Sequence, residues 1–307
     1  MKTTIYKYLV FTLTISLLSI SISAQRRGRS KPPPKPKTIV FAVLDDGKMI
    51  EPIGVIDKGE LTGLQTTDAN GKVLVDIHKT YYKPKTRYNL VFGGANKGSV
   101  TVVKSDPKAE CASNLATVST ASTTAKIKGF VMGLATNNSI AKTASGVRRL
   151  PTAVERREIE DLVRDEFIKQ GVAGNTVEKM KYHNLTAIDV DNDGKAEMVG
   201  SFWTGDTAVE RNLLFFIAEK QKNGKYAFGY SEFRKIIPNE VMSGEVKDLD
   251  DGVYHELLLD SMEYDGDNSA EIFTLVRGFE GSNFNVYSKR EGKWTKVFEG
   301  SNYHCAY

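Results

Sequence analysis

The stretch AIDVDNDGKAEMVGSFW, residues 187–203, poses the central question about this fold. An apolar pair leads into acidic residues at alternate positions, and a glycine, another acid and a hydrophobic run follow. Written from Asp189, the nonapeptide reads D-x-D-x-D-G-x-A-E. Carboxylates at alternate positions of a tightly curled loop converge on one point, and the glycine allows a sharp bend. The pattern predicts an acidic loop that leads into a β-strand.

The same frame occurs twice more. EYDGDNSAE begins at Glu263 with acids at the first, third, fifth and ninth positions, and Asn268 replaces the glycine. DLDDGVYHE begins at Asp248 and keeps acids only at the first, third and ninth positions, so we expect it to bind nothing. The first two loops are each followed by a strand, a connection, a second strand, a tight turn and a strand that begins with lysine and an aromatic residue. Such repetition is hard to obtain from a random polar turn.

The donor chemistry of these loops fits calcium. Ca²⁺ takes roughly six to eight oxygen ligands at about 2.3–2.6 Å. An EF-hand is excluded, because its last acid would stand at the twelfth position, which holds Gly200 and Thr274. The alternative is a polar turn whose acids face water. The metal site is favoured for the first loop, whereas the two interpretations are balanced for the second. The predicted ligands are Asp189, Asp191, Asp193, the backbone carbonyl at Lys195 and Glu197 in the first loop, and Glu263, Asp265, Asp267 and Glu271 in the second.

The acid-rich loops resemble the FG-GAP/VCBS type of repeat, which is found in integrin-like β-propellers and in many secreted bacterial proteins. The resemblance covers about residues 185–300. It implies calcium-loop repeats in an antiparallel β domain. The chain has no clear FG-GAP tripeptide and has room for two or three units, whereas a closed propeller takes about four to eight blades. We therefore expect a compact antiparallel domain of blade-like units.

The N-terminal segment is typical of an exported protein. Lys2 and Lys7 precede the apolar run YLVFTLTISLLSISIS, and small residues stand at positions 21, 23 and 24. This predicts a signal peptide over residues 1–24, cleaved after Ala24, and a secreted or periplasmic protein. An uncleaved anchor is the alternative, but the apolar core is shorter than the roughly 20 residues of a membrane helix. Residues 25–37 are basic and proline-rich, which predicts a semi-rigid linker.

The rest of the chain predicts a mainly β fold. Residues 38–136 alternate strand-forming runs with turn formers, which predicts a sandwich-like or barrel-like domain. The predicted strands lie in TIVFAVL, KVLVDIH, YNLVF, SVTVV and KIKGFVMGLAT. Residues 137–151 are a predicted linker, and residues 152–307 a helix followed by the antiparallel β domain. Thr152 and Glu155 predict the capping box of this one amphipathic helix, and Gly171 its end.

Composition and the absence of catalytic motifs argue against several classes of function. The formal net charge of +4 is too small to indicate a nucleic-acid binder. His255-Glu256 lacks the second histidine of a zincin, and no G-x-S-x-G motif occurs. Cys111 and Cys305 either form a disulfide or stay free thiols. We expect no transmembrane segment in the mature chain.

The leading hypothesis is a secreted, non-catalytic β protein that binds calcium structurally and serves adhesion or the binding of a protein or glycan ligand at the cell envelope. One alternative is a metal-dependent hydrolase that uses Asp189, Asp191 and Glu197 around a metal. Another alternative is a purely structural envelope component.

Overall fold

The computed structural model describes residues 36–67, 72–139, 148–207, 210–237, 254–278 and 280–305. The predicted signal peptide, almost all of the basic linker and the first six residues of the acidic loop at Asp248 lie outside these ranges. The described strands are β1 Thr38–Leu44, β2 Met49–Asp57, β3 Glu60–Thr62, β4 Arg87–Phe92, β5 Ala95–Ser105, β6 Ala116–Ser122, β7 Gly133–Thr136, β8 Lys181–Ile188, β9 Glu197–Thr207, β10 Glu210–Lys220, β11 Tyr226–Ile236, β12 Glu256–Met262, β13 Glu271–Arg277, β14 Gly281–Arg290 and β15 Lys293–Tyr303. The helices are α1 Ile77–Thr80, α2 Ala153–Lys169 and α3 Gly174–Val177. The predicted mainly β fold is confirmed.

The first seven strands form an antiparallel barrel. Their order is β1-β7-β4-β5-β6-β2, and β2 also pairs with β1, which closes six strands into a ring with β3 on the edge of β2. Strand β1 is buried on both faces. Its odd-numbered apolar residues, such as Phe41, point into the barrel, whereas Val40 and Ala42 face a second core outside it. This double burial explains why TIVFAVL is apolar throughout instead of alternating.

One strand prediction in this region is wrong. KVLVDIH, residues 72–78, contains a single bridged residue, Val73, and then turns into α1. The Asp76 carboxylate caps α1 by accepting a hydrogen bond from the Lys79 amide at 3.1 Å. Helix capping therefore overrides the β propensity of the run, and Ile77 enters the barrel core while Leu74 is exposed. Likewise, KIKGFVMGLAT is a strand only over Gly133–Thr136.

The remaining eight strands form two four-stranded antiparallel sheets with consecutive strand order. The first sheet is β8 to β11 and the second is β12 to β15. In each sheet one acidic loop, residues 189–196 or 263–270, connects the first strand to the second. Each sheet also has a register shift between its third and fourth strands, next to Ile217 in one and Val286 in the other. The predicted order of loop, strand and hairpin is thus present in both.

The elements stack in four layers. Helix α2 covers the outer face of the first sheet, the two sheets face each other, and the second sheet packs on the barrel. Neighbouring residues of one strand therefore enter different cores. Met198 packs in the core that contains α2, whereas Val199 faces the second sheet, and Ile272 and Phe273 divide in the same way between the first sheet and the barrel.

Helix α2 follows the sequence prediction closely. The Glu155 amide donates to Thr152 Oγ1 at 3.2 Å and the Thr152 amide to Glu155 Oε2 at 2.7 Å, which is the predicted capping box. Gly171 follows the helix with φ of 83°, a left-handed conformation that glycine adopts without strain. Two further helices of four residues each, α1 and α3, were not predicted.

Two covalent or ionic contacts join distant parts of the chain. Cys111 and Cys305 form a disulfide, which ties the loop before β6 to the segment after β15. Asp260 on β12 is fully buried and lies 2.7 Å from Arg148 Nη1. Its carboxylate also accepts hydrogen bonds from the Gly93 and Gly94 amides of the β4–β5 turn, both at 3.0 Å. The Asp260 carboxylate of the second sheet therefore contacts both the barrel and Arg148 of the predicted linker.

We expect Cys305→Ser to lower the free energy of unfolding by up to about 5 kcal/mol, because the disulfide closes a loop that spans most of the described chain. Denaturant unfolding with and without a reductant measures the effect. Reductant should shift the wild-type midpoint and leave a Cys111→Ser/Cys305→Ser variant unchanged. Equal sensitivity of both proteins to the reductant would contradict the assignment.

We expect Asp260→Ala to lower the free energy of unfolding by about 3–5 kcal/mol, because it leaves the Arg148 guanidinium buried without its partner. Asp57→Ala is the matched control. Its ion pair with Lys37 is exposed, with side-chain exposures of 53% and 59%, so its loss should cost at most about 1 kcal/mol. Urea unfolding of both variants measures the difference, and similar costs would refute the role of Asp260.

Candidate metal centre

The backbones of the two acidic loops curl in the same way. In each loop the fourth and sixth residues have positive φ: Asn192 and Gly194 in the first, with 62° and 80°, and Gly266 and Asn268 in the second, with 91° and 69°. Asparagine enters this left-handed region more readily than most residues. Replacement of the sixth-position glycine by Asn268 therefore leaves the loop conformation unchanged.

Side-chain-to-backbone hydrogen bonds fix this curl. In both loops the third-position carboxylate accepts from the amide of the fifth residue, and the fifth-position carboxylate accepts from the amide of the seventh. The bonds run from Asp193 N to Asp191 Oδ1 at 3.3 Å, Asp267 N to Asp265 Oδ1 at 3.2 Å, Lys195 N to Asp193 Oδ1 at 2.7 Å and Ser269 N to Asp267 Oδ1 at 2.8 Å. These Asx turns hold the third and fifth carboxylates against the loop backbone.

Each loop gathers three of its predicted ligands. In both cases these are the acids at the first, third and ninth positions, and one oxygen of each lies within 4.8 Å of the others. The groups are Asp189, Asp191 and Glu197 in the first loop and Glu263, Asp265 and Glu271 in the second. The ninth residue opens the following strand and is the deepest, with 4% exposure for Glu197 and none for Glu271.

The other predicted ligands lie outside these groups. Asp193 and Asp267 are exposed, and each uses one carboxylate oxygen in the Asx turn. Lys195, predicted for its backbone carbonyl, places its ammonium 2.9 Å from Asp193 Oδ2. The fifth-position acids therefore shape the loops in this conformation.

The buried acids are in an unfavourable environment when no cation is present. Burial, together with the nearby Asp265 and Glu263 carboxylates, raises the pKa of Glu271 to about 9. Burial, with a contribution from Asp191, raises the pKa of Glu197 to about 7. Within the two carboxylate groups, three buried oxygens have no hydrogen-bond partner among the described residues: Asp189 Oδ1, Glu263 Oε2 and Glu271 Oε2. Hard, unpartnered carboxylate oxygens are the donors that suit Ca²⁺.

A polar cavity of about 210 Å³ lies between the two sheets, away from the acidic loops. The Glu256 carboxylate in its wall is 8% exposed. Its Oε1 accepts hydrogen bonds from the Thr274 hydroxyl, the Asn285 amide at 2.9 Å and the Tyr287 hydroxyl at 2.7 Å. The sequence patterns did not identify this cavity, because its wall is assembled from strands of both sheets.

No protein-family model matches the chain, and no curated protein or solved structure matches it. Among the described residues, no helix has both the length and the apolar character that crossing a membrane requires. The function of the chain must therefore be inferred from its own residues.

We expect Glu271→Gln to stabilise the protein in the presence of a chelator, by roughly 2 kcal/mol or more at pH 8. The pKa of Glu271 in the folded protein, about 9, lies above its ordinary value of 4.5. The protonated carboxyl therefore contributes its full stability below about pH 4.5, and this contribution is lost as the pH rises to about 9. The variant should therefore match the wild type near pH 4 and exceed it at pH 8.

Thermal unfolding across this pH range measures the effect. Asp267→Asn is the matched control, because it removes an exposed acid from the same loop and should change little. A Glu271→Gln curve parallel to that of the wild type would contradict the expected burial of an uncompensated charge.

Proposed function

We propose that this protein is an exported, non-catalytic β protein whose acidic loops bind Ca²⁺ and that it binds a protein or glycan ligand at the cell envelope. The observation that carries the proposal is the pairing of two loops with the same curl. Each brings three carboxylates within 4.8 Å of one another and buries the ninth-position acid.

The proposed role of calcium is structural. Each loop connects the first two strands of its sheet, so an ion held by its first, third and ninth residues would bind the loop to the strand that follows. The loops are also joined to each other, since the Ala270 amide donates to the Val190 carbonyl at 2.8 Å. Ions in these loops would therefore order one end of the interface between the two sheets.

Two features support export. The N-terminal segment has the pattern of a signal peptide. The disulfide between Cys111 and Cys305 is of a kind that persists in oxidising compartments. Calcium sites of extracellular modules have dissociation constants of about 10⁻⁴–10⁻³ M, so modest affinity would suffice there.

The resemblance to FG-GAP/VCBS repeats gains support from the strand arrangement. A propeller blade is a four-stranded antiparallel sheet, and each acidic loop here belongs to such a sheet. The two sheets pack face to face through one shared core. We therefore propose a pair of blade-like units arranged as a sandwich.

The polar cavity between the sheets supports a binding role. It exposes Arg234 and Lys296 beside the buried Glu256, a mixture of donors and acceptors that suits a polar ligand. The Lys296 ammonium lies 3.4 Å from Glu232 Oε2, so an ion pair already positions two charged side chains in the wall of this cavity. Substitution of these residues would affect ligand capture without touching the acidic loops.

Calcium is expected to raise the melting temperature of the chelated protein. The added stability should reach about 2.7 kcal/mol when free calcium is 100 times its dissociation constant. Scanning calorimetry measures it, with a Glu197→Gln/Glu271→Gln variant as the control that should not respond. An unchanged wild-type curve in saturating calcium would refute the calcium proposal.

The hydrolase alternative is tested separately with a panel of glycoside, ester and phosphate substrates, run with and without calcium. We expect no turnover in either condition. Calcium-dependent turnover that Asp191→Asn abolishes would establish the alternative.

A further inference from the structure

We infer that the second acidic loop is the principal calcium site and that Lys289 acts as the built-in counter-ion of the first loop. This inference rests on the proposed calcium function. It reverses the order that the sequence pattern favours, since the first loop keeps the glycine and the three aspartates of the full motif.

Two acids of the second loop each have one buried oxygen without a hydrogen-bond partner among the described residues, whereas the first loop has one such carboxylate oxygen, on Asp189. Glu271 is fully buried, and its Oε2 has no hydrogen-bond partner among the described residues. The buried Glu263 Oε2 is in the same condition. The cation paired with this group is Arg290, whose Nη2 lies 3.7 Å from Asp265 Oδ2 and whose side chain is 60% exposed. An ion that enters this loop would meet free oxygens and would displace only a weak, solvated ion pair.

The first loop already holds a cation from the other sheet. The Lys289 ammonium lies 3.1 Å from Asp191 Oδ2 and 2.6 Å from Glu219 Oε1. Its side chain is 21% exposed, so both contacts are partly shielded from solvent. An ion that enters this loop must compete with the ammonium for Asp191.

The ion pair with Glu219 holds Lys289 in this position. Tyr287 and Lys289 are two residues apart on β14, so both side chains point toward the first sheet. Lys289 pairs with Trp294 across the β14–β15 hairpin, and the Trp294 indole donates to Glu219 Oε1 at 2.9 Å. Glu219 thus anchors the lysine and is itself fixed by a buried tryptophan. Displacement of the ammonium would leave Glu219 without its cation, which weakens metal binding at the first loop.

Titration calorimetry of CaCl₂ into the chelated full protein tests this ranking with three variants. We expect Glu271→Gln to weaken the tightest site by about tenfold or more and Asp191→Asn to change it by less than about threefold. We expect Lys289→Met to tighten the weaker site by about tenfold, because the internal competitor is gone.

Lys220→Met is the matched control for Lys289→Met. It removes the same charge from the corresponding end of β10, where the Lys220 ammonium lies 5.6 Å from the Tyr226 ring centroid. It should leave both affinities unchanged. Far-UV circular dichroism checks that Glu271→Gln folds, and Lys289→Met tests the inference without altering a buried acid.

The outcomes separate the two claims. Calcium binding that is lost in Asp191→Asn and kept in Glu271→Gln would overturn the ranking and leave the proposed function intact. An unchanged weak site in Lys289→Met would overturn the role of the lysine. Absence of calcium binding in the wild type would overturn the proposed function and the inference with it.

Discussion

The burial of a carboxylate at the start of β9 and of β13 is the constraint around which the acidic loops are organised. Glu197 and Glu271 occupy strand positions, paired with Ile188 and Met262 across their hairpins. An acid at such a position is costly unless a cation or several donors compensate its charge. The curl of each loop brings two more carboxylates close to the buried acid. Their negative charges repel that acid when no cation is bound, and they attract a cation that enters the loop.

Asp260 is a buried acid whose charge the chain itself compensates. Asp260 is as deeply buried as Glu271, but the chain provides Arg148 and the Gly93 and Gly94 amides as its partners. Glu271 has one long hydrogen bond from the Ser288 hydroxyl, at 3.4 Å, and an unpartnered second oxygen. The same fold therefore satisfies one buried acid internally and leaves an oxygen of the other without a partner among the described residues. This contrast is the strongest physical argument for a metal ion in the second loop.

Features set by local sequence were predictable. The alternation of acids placed both loops between strands, and Thr152 and Glu155 marked the start of the long helix. The wrong strand prediction at residues 72–78 also has a local cause. Asp76 caps a short helix there, although the neighbouring residues have high β propensity. Asp193 and Asp267 are exposed on the curled loops and lie outside the ligand groups, which the spacing of acids does not reveal.

Features set by packing between distant segments were beyond the sequence patterns. Lys289 meets Asp191 across 98 positions, and Arg148 meets Asp260 across 112. Neither pair leaves a periodic signal, because each depends on how the sheets stack. The disulfide stayed undecided for the same reason, since only the fold brings Cys305 back to Cys111.

The most direct measurement of the central claim is anomalous diffraction from crystals grown in calcium or soaked in terbium. The account predicts a peak about 2.3–2.6 Å from oxygens of Glu263, Asp265 and Glu271. Well-diffracting crystals at saturating ion concentration with no peak at either acidic loop would contradict it.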